Sequence, residues 1–236
     1  MKKGAKLYEG KAKILWETDD PDVLIQEFKD SVTAGDGAKK DTISGKGAIN
    51  CRISTLIFRL LADHGIQSHW IETVSDHEMA VQRLKMIPVE VVVRNNIAGS
   101  MAKRLGIEEG RALPQPIVEH YLKNDALHDP WLNDDHITKV FQHATEAELM
   151  GMKQEARRIN EVLKQFFATR SITLVDFKVE FGKNKDGAIL LGDEFTPDAC
   201  RLWDSKTQQK LDKDVFRRDL GNLMDAYTEV FRRIER

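Results

Sequence analysis

The sequence predicts an α+β protein with two lobes, a small N-terminal lobe of antiparallel sheet and a larger C-terminal lobe of mixed helix and strand. Short strand-like segments fill most of the first third of the chain, whereas the second half carries a long amphipathic helix followed by two strands joined by a tight turn. We place the boundary near Pro88, because proline lacks the N–H that a ladder interior needs and fits an entry or edge position. The expected lobes therefore comprise residues 1–85 and 86–236.

The N-terminal lobe is predicted to contain five short strands and one helix. The strands are expected over residues 6–9, 12–18, 23–29, 70–74 and 79–84. The polar segment 31–41, which contains the sequence Gly-Asp-Gly, is predicted to be a loop, and its local sequence favours a plain turn. The helix is expected over residues 44–63, with Gly65 as its C-terminal cap.

The C-terminal lobe is predicted to mix strands with three helical regions. A strand over 89–94 precedes a short helix over 98–105 that Gly106 stops, and the stretch 114–133 is expected to be loop-rich, with an extended piece at 117–122. Thr145 and Glu148 form a capping box that opens the strongest helix of the chain. Its apolar positions recur at spacings of three and four and predict a core face: Leu149, Met152, Ala156, Ile159, Leu163 and Phe166. A last helical region is expected over 213–234, broken near Gly221.

The most informative segment is the strand pair formed by residues 174–182 and 190–194, which alternates with period two. Its apolar face is predicted to carry Val175, Phe177, Val179 and Phe181. Its charged face is predicted to carry Asp176, Lys178 and Glu180. An Asp-Gly turn folds the second strand back and is expected to bring Asp193 roughly opposite Lys178, close to Glu180. Carboxylates that converge around a lysine suit Mg²⁺ and phosphate, but a solvated charged face explains the hairpin alone equally well.

The bulk composition excludes some classes of protein. Of the 236 residues, 36 are basic and 38 are acidic, and the net charge of −2 argues against a protein that coats nucleic acid. No apolar run reaches membrane-spanning length, and the Met-Lys-Lys-Gly start lacks the apolar core of a signal peptide. Cys51 and Cys200 lie outside any CxxC or zinc-ligand spacing. We expect a cytoplasmic protein with no nucleic-acid or membrane partner.

Three basic motifs are candidates for binding phosphate. Lys11 and Lys13 flank a tight Gly-Lys-Ala-Lys segment and could reach one polyphosphate, although a solvated basic terminus is favoured from that motif alone. Arg94 ends a strand shortly before a helix that begins near Ser100, which favours a monophosphate site slightly over a simple cap. Arg201 follows the hairpin directly, where an anionic substrate or a surface salt bridge would suit it equally.

Together these motifs resemble the two signature motifs of the SAICAR synthetase family. The two long matches are Val-Asp-Phe-Lys-Val-Glu-Phe-Gly over residues 175–182 and the segment that runs from Ile-Pro-Val-Glu at 87–90 through Arg94 to Ala-Gly-Ser at 98–100. Shorter matches lie at 8–13, 34–38, 103–106, 123–130 and 192–203. The resemblance therefore covers nearly the whole chain.

The resemblance implies an ATP-dependent ligase of de novo purine (IMP) biosynthesis. Such an enzyme joins L-aspartate to the carboxylate of CAIR, the carboxylated aminoimidazole ribonucleotide, and forms SAICAR, ADP and phosphate through an acyl phosphate. The resemblance also implies a fold related to the ATP-grasp ligases, with ATP in the cleft between the lobes, Mg²⁺ as the metal, and assembly as a homodimer.

For the nucleotide, the resemblance implies contributions from both lobes. Lys11 and Lys13 are expected to neutralise the ATP phosphates, the backbone of Met86 to meet adenine, and Lys123 to reach the nucleotide. Glu180, together with Asp193, is expected to hold the Mg²⁺ that bridges the phosphates.

For the second substrate, the resemblance implies a phosphate clamp and a ring site. Arg94, Ser100 and Arg201 are expected to hold the 5′-phosphate of CAIR. Asp176 and Lys178 are expected to line the CAIR site and, with Lys13, to act in catalysis. Asp36 is expected to shape the site for aspartate or for the acyl phosphate.

Two other functions remain open at this stage. A small-molecule kinase would use the same ATP machinery, but it needs a catalytic base near the acceptor hydroxyl, and the usual His-Arg-Asp loop is absent from the sequence. A nucleotide-sensing module without turnover would be expected to lose the charged groups at Asp176, Lys178, Glu180 and Asp193, which are intact.

Overall fold

The computed structural model describes residues 2–35 and 37–236, which form antiparallel sheets flanked by helices. The strands are β1 (Lys3–Glu9), β2 (Lys13–Thr18), β3 (Val23–Phe28), β4 (Ser31–Ala34), β5 (Lys39–Thr42), β6 (Trp70–Ser75), β7 (Glu78–Gln82), β8 (Lys85–Asn96), β9 (Ala112–Leu122), β10 (Trp131–Leu132), β11 (Ile172–Lys183), β12 (Ile189–Gly192) and β13 (Cys200–Asp204). The α-helices are α1 (Lys46–Asp63), α2 (Gly99–Leu105), α3 (Glu146–Ala168), α4 (Asp214–Arg217) and α5 (Leu223–Ile234).

The first sheet has the strand order β1-β2-β3-β7-β6, and all five strands were predicted in the right places. The segment predicted as a loop over residues 31–41 is instead the hairpin β4–β5, in which Ser31 pairs with Thr42 and Ala34 with Lys39. The prediction was wrong because β5 reads Lys-Lys-Asp-Thr and carries no apolar residue that could show alternation. Residues of this hairpin line the candidate site: Thr33, Ala34, Gly35 and Gly37.

The second sheet has the order β10-β9-β8-β11-β12, and β13 pairs with the other end of β11. The extended piece predicted at 117–122 is confirmed as the second half of the eleven-residue strand β9, which begins at Ala112. The stretch predicted as loop-rich over 114–133 also contains the short strand β10. Two prolines in the first half of β9 hid that half of the strand. Pro88 lies inside β8, where the register with β11 shifts between the pairs Glu180–Glu90 and Gly182–Met86. A register shift tolerates a residue without an N–H donor.

A β-bulge in β11 changes which side chains share the core. The register between β11 and β13 shifts between Leu174 and Asp176, so Leu174 before the bulge and Phe177 after it both join the main core. Val175 does not lie with Phe177, as the alternation predicted. It packs instead in a small separate cluster with Ala98 and Trp203.

The helices cover the sheets and close one hydrophobic core. The predicted capping box of Thr145 and Glu148 is present at the start of α3, which packs against β8, β9 and β11. Its buried face ends at Phe167 and not at the predicted Phe166, which is only partly buried. The final helical region is interrupted between α4 and α5, as expected. Among the described residues, no helix combines the length and apolar character needed to cross a membrane.

The two main sheets use different parts of the chain, which supports the predicted division into two lobes. The first sheet uses only residues 3–82 and the second only residues 85–204. Helix α1 nevertheless packs against α5, and the main core contains residues from both halves. We propose a boundary at residues 85 and 86 on the strength of the two separate sheets.

Candidate active site

Strands β8 and β11 lie side by side and bring the two long sequence motifs together. Asp176 pairs with Arg94, and Glu180 pairs with Glu90. Because side chains two residues apart share a face, the acidic and basic groups of both strands project from the same surface of the sheet. The charged face predicted for the hairpin is therefore one half of a larger charged surface.

At one end of this surface, lysines and carboxylates form a group that we call the lysine cluster. Its members are Lys13, Lys123, Lys178, Glu180, Asp193 and Glu194. Lys178 Nζ donates to Glu180 Oε1 at 2.9 Å and to Glu90 Oε1 at 2.7 Å, and it lies 3.9 Å from Asp193 Oδ2. Lys123 contacts the second oxygen of Glu180. Lys13 contacts Asp193 and Glu194, so β2 of the first sheet meets the second sheet here.

Within the lysine cluster, Lys178 and Glu180 stabilise each other in their charged forms. Burial alone would lower the pKa of Lys178, but the carboxylates of Glu180 and Glu90 outweigh it and raise the pKa. Burial alone would likewise raise the pKa of Glu180, but Lys178, Lys123 and Lys13 lower it to about 2. Glu180 is therefore ionised at neutral pH.

Asp193 stands at a special backbone position. Its φ of 63° lies in the left-handed region, which non-glycine residues adopt rarely and which is found often at functional sites. Strand β12 ends at Gly192, which pairs with Glu180, so Asp193 leaves the ladder next to Glu180, and its carboxylate lies 3.9 Å from Lys178 Nζ, close to the predicted position. The turn out of the strand directs its carboxylate to Lys13, which the sequence alone did not indicate.

At the other end of the surface, two arginines form a group that we call the arginine cluster, with Asp176, Glu119, Asp214, Ser100 and Tyr121 around Arg94 and Arg201. Arg94 is only 3% exposed; its Nη1 donates to Asp176 Oδ2 at 2.8 Å, and its Nη2 donates to Ser100 at 3.0 Å and to Tyr121 at 3.1 Å. Arg201 donates to the same oxygen of Asp176 at 2.8 Å. One carboxylate therefore aligns two guanidinium groups.

Gly99 allows this alignment at the start of α2. Its φ is +55°, and a Cβ at this position would collide with the guanidinium of Arg201. Only glycine avoids both the backbone strain and the collision. The close approach places Arg201 beside Ser100 and Arg94, as the resemblance implied for a phosphate clamp.

A cleft of about 560 Å³ runs along the charged surface. Six of the predicted site residues line it: Lys11, Arg94, Ser100, Asp176, Lys178 and Arg201. Lys13, Met86, Lys123, Glu180 and Asp193 do not line the cleft. Most of them belong to the lysine cluster next to it, and Lys178 takes part in both. Asp36 lies outside the described residues, although Gly35 and Gly37 on either side of it line the cleft.

Met86 lies where β8 enters the second sheet. It pairs with Gly182, and a Cβ on either Gly182 or Gly192 would come within 3.0 Å of its side chain. The two glycines thus let the Met86 segment sit closely over β11 and β12.

The predicted phosphate-binding residue Lys11 donates a hydrogen bond to Asp125 at 2.8 Å.

The acidic residues of the lysine cluster do not make a closed metal cage. Among the residues that the structure describes, no three histidine, cysteine or carboxylate groups come close enough to hold a metal ion. Glu180 on β11 and Asp193 just after β12 could supply oxygen ligands. Mg²⁺ is usually bound by one or two carboxylates together with substrate phosphates, so this donor set suits Mg²⁺ that arrives with a nucleotide.

Several residues of the site were not found from the sequence. Glu119 and Tyr121 bind Arg94 from β9. Their alternate spacing in the extended piece 117–122 was a usable signal. Glu90 and Glu194 lie in predicted motifs but were given no role, and Asp214 was not singled out. Their contacts with Lys178, Lys13 and Arg201 appear only in the structure.

Comparisons with known proteins point to one family. The family model described as SAICAR synthetase matches residues 6–234. A phosphoribosylaminoimidazole-succinocarboxamide synthase of Nitratiruptor sp. is 54% identical, over 99% of this chain and 98% of the relative. The crystal structure of the synthase of that name from Ehrlichia chaffeensis superposes with a TM-score of 0.96 at 42% identity, covering 98% of each chain. A SAICAR synthetase solved in complex with ADP superposes with a TM-score of 0.93 at 50% identity, covering 96% of each chain.

Proposed function

Because the chain belongs to the SAICAR synthetase family, we infer that it is an ATP-dependent carboxylate–amine ligase. It joins L-aspartate to the carboxylate of CAIR and forms SAICAR, ADP and phosphate, a step of purine biosynthesis. The observation that carries this assignment is the position of Lys178, which lines the substrate cleft and is hydrogen-bonded to Glu180 of the lysine cluster. The residues proposed for nucleotide and for CAIR thereby form one continuous site.

The reaction needs two chemical steps because a carboxylate is a poor electrophile. In the first step an oxygen of the CAIR carboxylate attacks the γ-phosphorus of ATP, the bond to the β-phosphate oxygen breaks, and ADP leaves. In the second step the aspartate amine attacks the carbonyl carbon of the acyl phosphate. The C–N bond forms, the C–O bond to phosphate breaks, and one proton is released. The protein contributes mainly positioning and charge stabilisation.

We assign the nucleotide to the lysine cluster. Lys13 and Lys123 of this cluster, with Lys11 of the adjoining cleft, neutralise the phosphates as point charges, and the segment at Met86 meets the adenine. Nucleotide binding is supported by a 50%-identical relative that was solved in complex with ADP. Glu180 and Asp193 would hold Mg²⁺, which when bound supplies Lewis-acid stabilisation of the charge that develops on the transferred phosphoryl group. Lys13 and Lys178 are members of the lysine cluster, and we propose that they also act in catalysis.

We assign CAIR to the arginine cluster and the adjoining cleft. Arg94, Ser100 and Arg201 are held together at hydrogen-bond distance from shared partners, which suits one phosphate with several acceptor oxygens. Asp176 orients both arginines and lines the cleft with Lys178, so the two residues flank the reacting end of CAIR. Asp36, between two cleft-lining glycines, remains a proposed contributor to the aspartate or acyl-phosphate site.

One assay tests this function. Purified protein is incubated with Mg²⁺, ATP, CAIR and L-aspartate, and ADP and SAICAR are followed together. ADP formation that requires both CAIR and aspartate and matches SAICAR one to one is expected. ADP formed at the full rate without aspartate would indicate a kinase, and no ADP under any condition would indicate a binding module.

Assembly and compartment are further parts of the proposal. Homodimerisation is supported by large apolar side chains that are exposed in the single chain, among them Trp131, Val140 and Phe141. Light scattering at micromolar concentration tests it, and a monomer mass would refute it. A reducing, cytoplasmic location is supported by the two buried free thiols, Cys51 and Cys200.

A further inference from the structure

Glu194 is a carboxylate of the lysine cluster that directly follows the proposed Mg²⁺ ligand Asp193. Its Oε2 lies 2.5 Å from Lys13 Nζ, and its side chain is 10% exposed. Within the described part of the chain, Lys13 is the only cationic side chain that forms an ion pair with it. The contact joins the start of β2 to the segment after β12, 181 positions along the chain, so it bridges the two halves of the protein at the site.

The backbone at Asp193 brings two consecutive carboxylates to one ammonium. Along a regular strand successive side chains point to opposite faces, so Asp193 and Glu194 would diverge. The left-handed φ of 63° at Asp193 breaks this alternation, and both carboxylates contact Lys13. The rare backbone conformation is therefore what gives Lys13 a second carboxylate.

Buried contacts fix the segment that carries Glu194 from behind. The N–H of the next residue, Phe195, donates to Ser54 Oγ of α1 at 3.0 Å, and Ser54 is fully buried. The Phe195 ring is 1% exposed and packs on Phe177 of β11, with 5.6 Å between the ring centroids. Glu194 therefore extends to Lys13 from backbone that the core holds in place.

The two carboxylates of Lys13 have different fates in the proposed nucleotide complex. There Asp193 binds Mg²⁺, so Lys13 loses one of its two partners and keeps Glu194. Lys178 has a comparable second partner in Glu90, at 2.7 Å. An ammonium has three N–H donors, so Lys13 can hold Glu194 and still donate to a phosphate oxygen.

We propose that Glu194 is a positioning residue, which holds the ammonium of Lys13 in place after Asp193 has turned to Mg²⁺. The inference rests on the proposed ligase function, in which Lys13 acts on the phosphate that passes from ATP to the CAIR carboxylate. Asp193 then serves the metal, and Glu194 serves the lysine. Without Glu194 the flexible stem of Lys13 would let its ammonium move away from the reacting phosphate, and a displacement of about 1 Å lowers a rate by about 100-fold.

The first test separates catalysis from binding in Glu194→Gln. The kcat is expected to fall about 10- to 100-fold, with KM values for ATP, CAIR and L-aspartate within about threefold of wild type. Calorimetric titration with ADP and Mg²⁺ involves no turnover and should give a Kd equal to or lower than that of wild type, because the variant loses a negative charge near the phosphates. Glu17→Gln removes a carboxylate from the same strand as Lys13, at a surface pair with Arg83, and this control should change neither quantity.

A double variant tests whether Glu194 acts through Lys13. In a Lys13→Gln background, Glu194→Gln is expected to lower kcat by less than about twofold, because the ammonium that it positions is already gone. A further fall of about tenfold would overturn the proposal. The comparison also holds if Glu194→Gln alone proves unfolded in a thermal melt, because the double variant loses one charge of each sign and is expected to fold.

Calorimetry with and without Mg²⁺ distinguishes positioning from metal binding. The ratio of the two Kd values for ADP should be retained in Glu194→Gln and lost in Asp193→Asn. A ratio that is lost in Glu194→Gln would make Glu194 a metal ligand and overturn the proposal, as would an unchanged kcat or a Kd for ADP raised about tenfold. Wild type without CAIR- and aspartate-dependent ADP formation would refute the ligase itself, which is a different result.

Discussion

The lysine cluster and the arginine cluster belong to one site but are built differently. Arg94 is 3% exposed and has partners on three of its nitrogens, whereas the Lys123 side chain is 42% exposed and contacts one carboxylate. In the lysine cluster three ammonium groups and three carboxylates neutralise one another. In the arginine cluster a frame of Asp176, Glu119 and Tyr121 fixes the direction of the guanidinium groups.

The difference follows from the chemistry of the two side chains. A guanidinium is a rigid planar fork, so a buried frame of acceptors can hold it in one orientation, whereas an ammonium is a point charge on a flexible stem. We infer that the arginine cluster is ready for its phosphate, and that the lysine cluster changes partners: the lysines pass from carboxylates to ATP phosphates, while Glu180 and Asp193 pass from lysines to Mg²⁺. Fixed side-chain orientation therefore characterises the arginine cluster, whereas ion pairs that can exchange partners characterise the lysine cluster.

The largest effect is expected from removing a charge in the lysine cluster. Glu180→Gln should lower kcat about a thousandfold, because the side chain loses the charge that Mg²⁺ requires. The protein should remain folded, since Lys178 keeps Glu90 as a partner. Coupled measurement of ADP release and a thermal melt checks both points. Glu17→Gln, at a surface pair with Arg83, is the control. A kcat within threefold of wild type for Glu180→Gln would contradict the assignment of Glu180 as a ligand of Mg²⁺.

Exchanging arginine and lysine tests the comparison directly. Arg94→Lys keeps the charge but loses the fork, and we expect the KM for CAIR to rise about 100-fold with the KM for ATP unchanged. Lys123→Arg should change the KM for ATP by less than about threefold, because the exposed side chain can adjust. Steady-state kinetics with each substrate varied in turn decides the matter. Equal sensitivity of the two positions would contradict the distinction between the clusters.

Gly99→Ala tests how closely the arginine cluster is fitted. The left-handed φ and the collision with Arg201 are expected to cost about 1–3 kcal/mol of unfolding free energy, and the KM for CAIR should rise as Arg201 is displaced. Gly151→Ala is the matched control, because Gly151 lies on the exposed side of α3 with nothing within 4 Å of its added Cβ. It should gain about 0.5–1 kcal/mol. Urea unfolding of both variants gives the two free energies, and a neutral Gly99→Ala would show that the fit is loose.

The last effect concerns stability and not activity, and it involves the two buried histidines, His69 and His120. Burial, with the nearby charge of Lys13, lowers the pKa of His69 to about 3, and burial lowers the pKa of His120 to about 4. Both folded pKa values lie below the unfolded value of 6.5, so the unfolded chain binds more protons below that pH and stability is lost as the pH falls.

Each histidine should contribute a slope of at most about 1.4 kcal/mol per pH unit. The slope due to His69 should continue to about pH 3, and that due to His120 should end near pH 4. Urea unfolding between pH 7 and pH 4 measures the slope. His69→Gln and His120→Gln should each reduce it, and an unchanged slope in both variants would show that these histidines titrate normally in the folded protein.

Most elements with a repeating local pattern were predicted correctly. The stripe of α3, its capping box and the two strands of the charged hairpin follow from side-chain periodicity, which is a property of neighbouring residues. Strand β5 and the first five residues of β9 were missed, because β5 has no apolar residue and the first half of β9 contains two prolines. The local sequence pattern does not predict a strand whose position depends only on pairing with neighbouring strands.

The candidate site divides in the same way. The sequence, through its motifs and their resemblance to one family, determined the charged residues of the site: Lys11, Lys13, Arg94, Asp176, Lys178, Glu180, Asp193 and Arg201. The partners of these residues were decided only by the tertiary structure. Glu119 lies 25 positions from Arg94, and Glu194 lies 181 positions from Lys13.

The bulge at Leu174–Asp176 and the backbone turn at Asp193 set which side chains meet, and no local pattern encodes either feature. The buried ion pair of Lys46 with Asp198 also appears only in three dimensions, because 152 positions separate the two residues. Periodicity is local and can be read along the chain, whereas charge balance in a buried site depends on the whole fold.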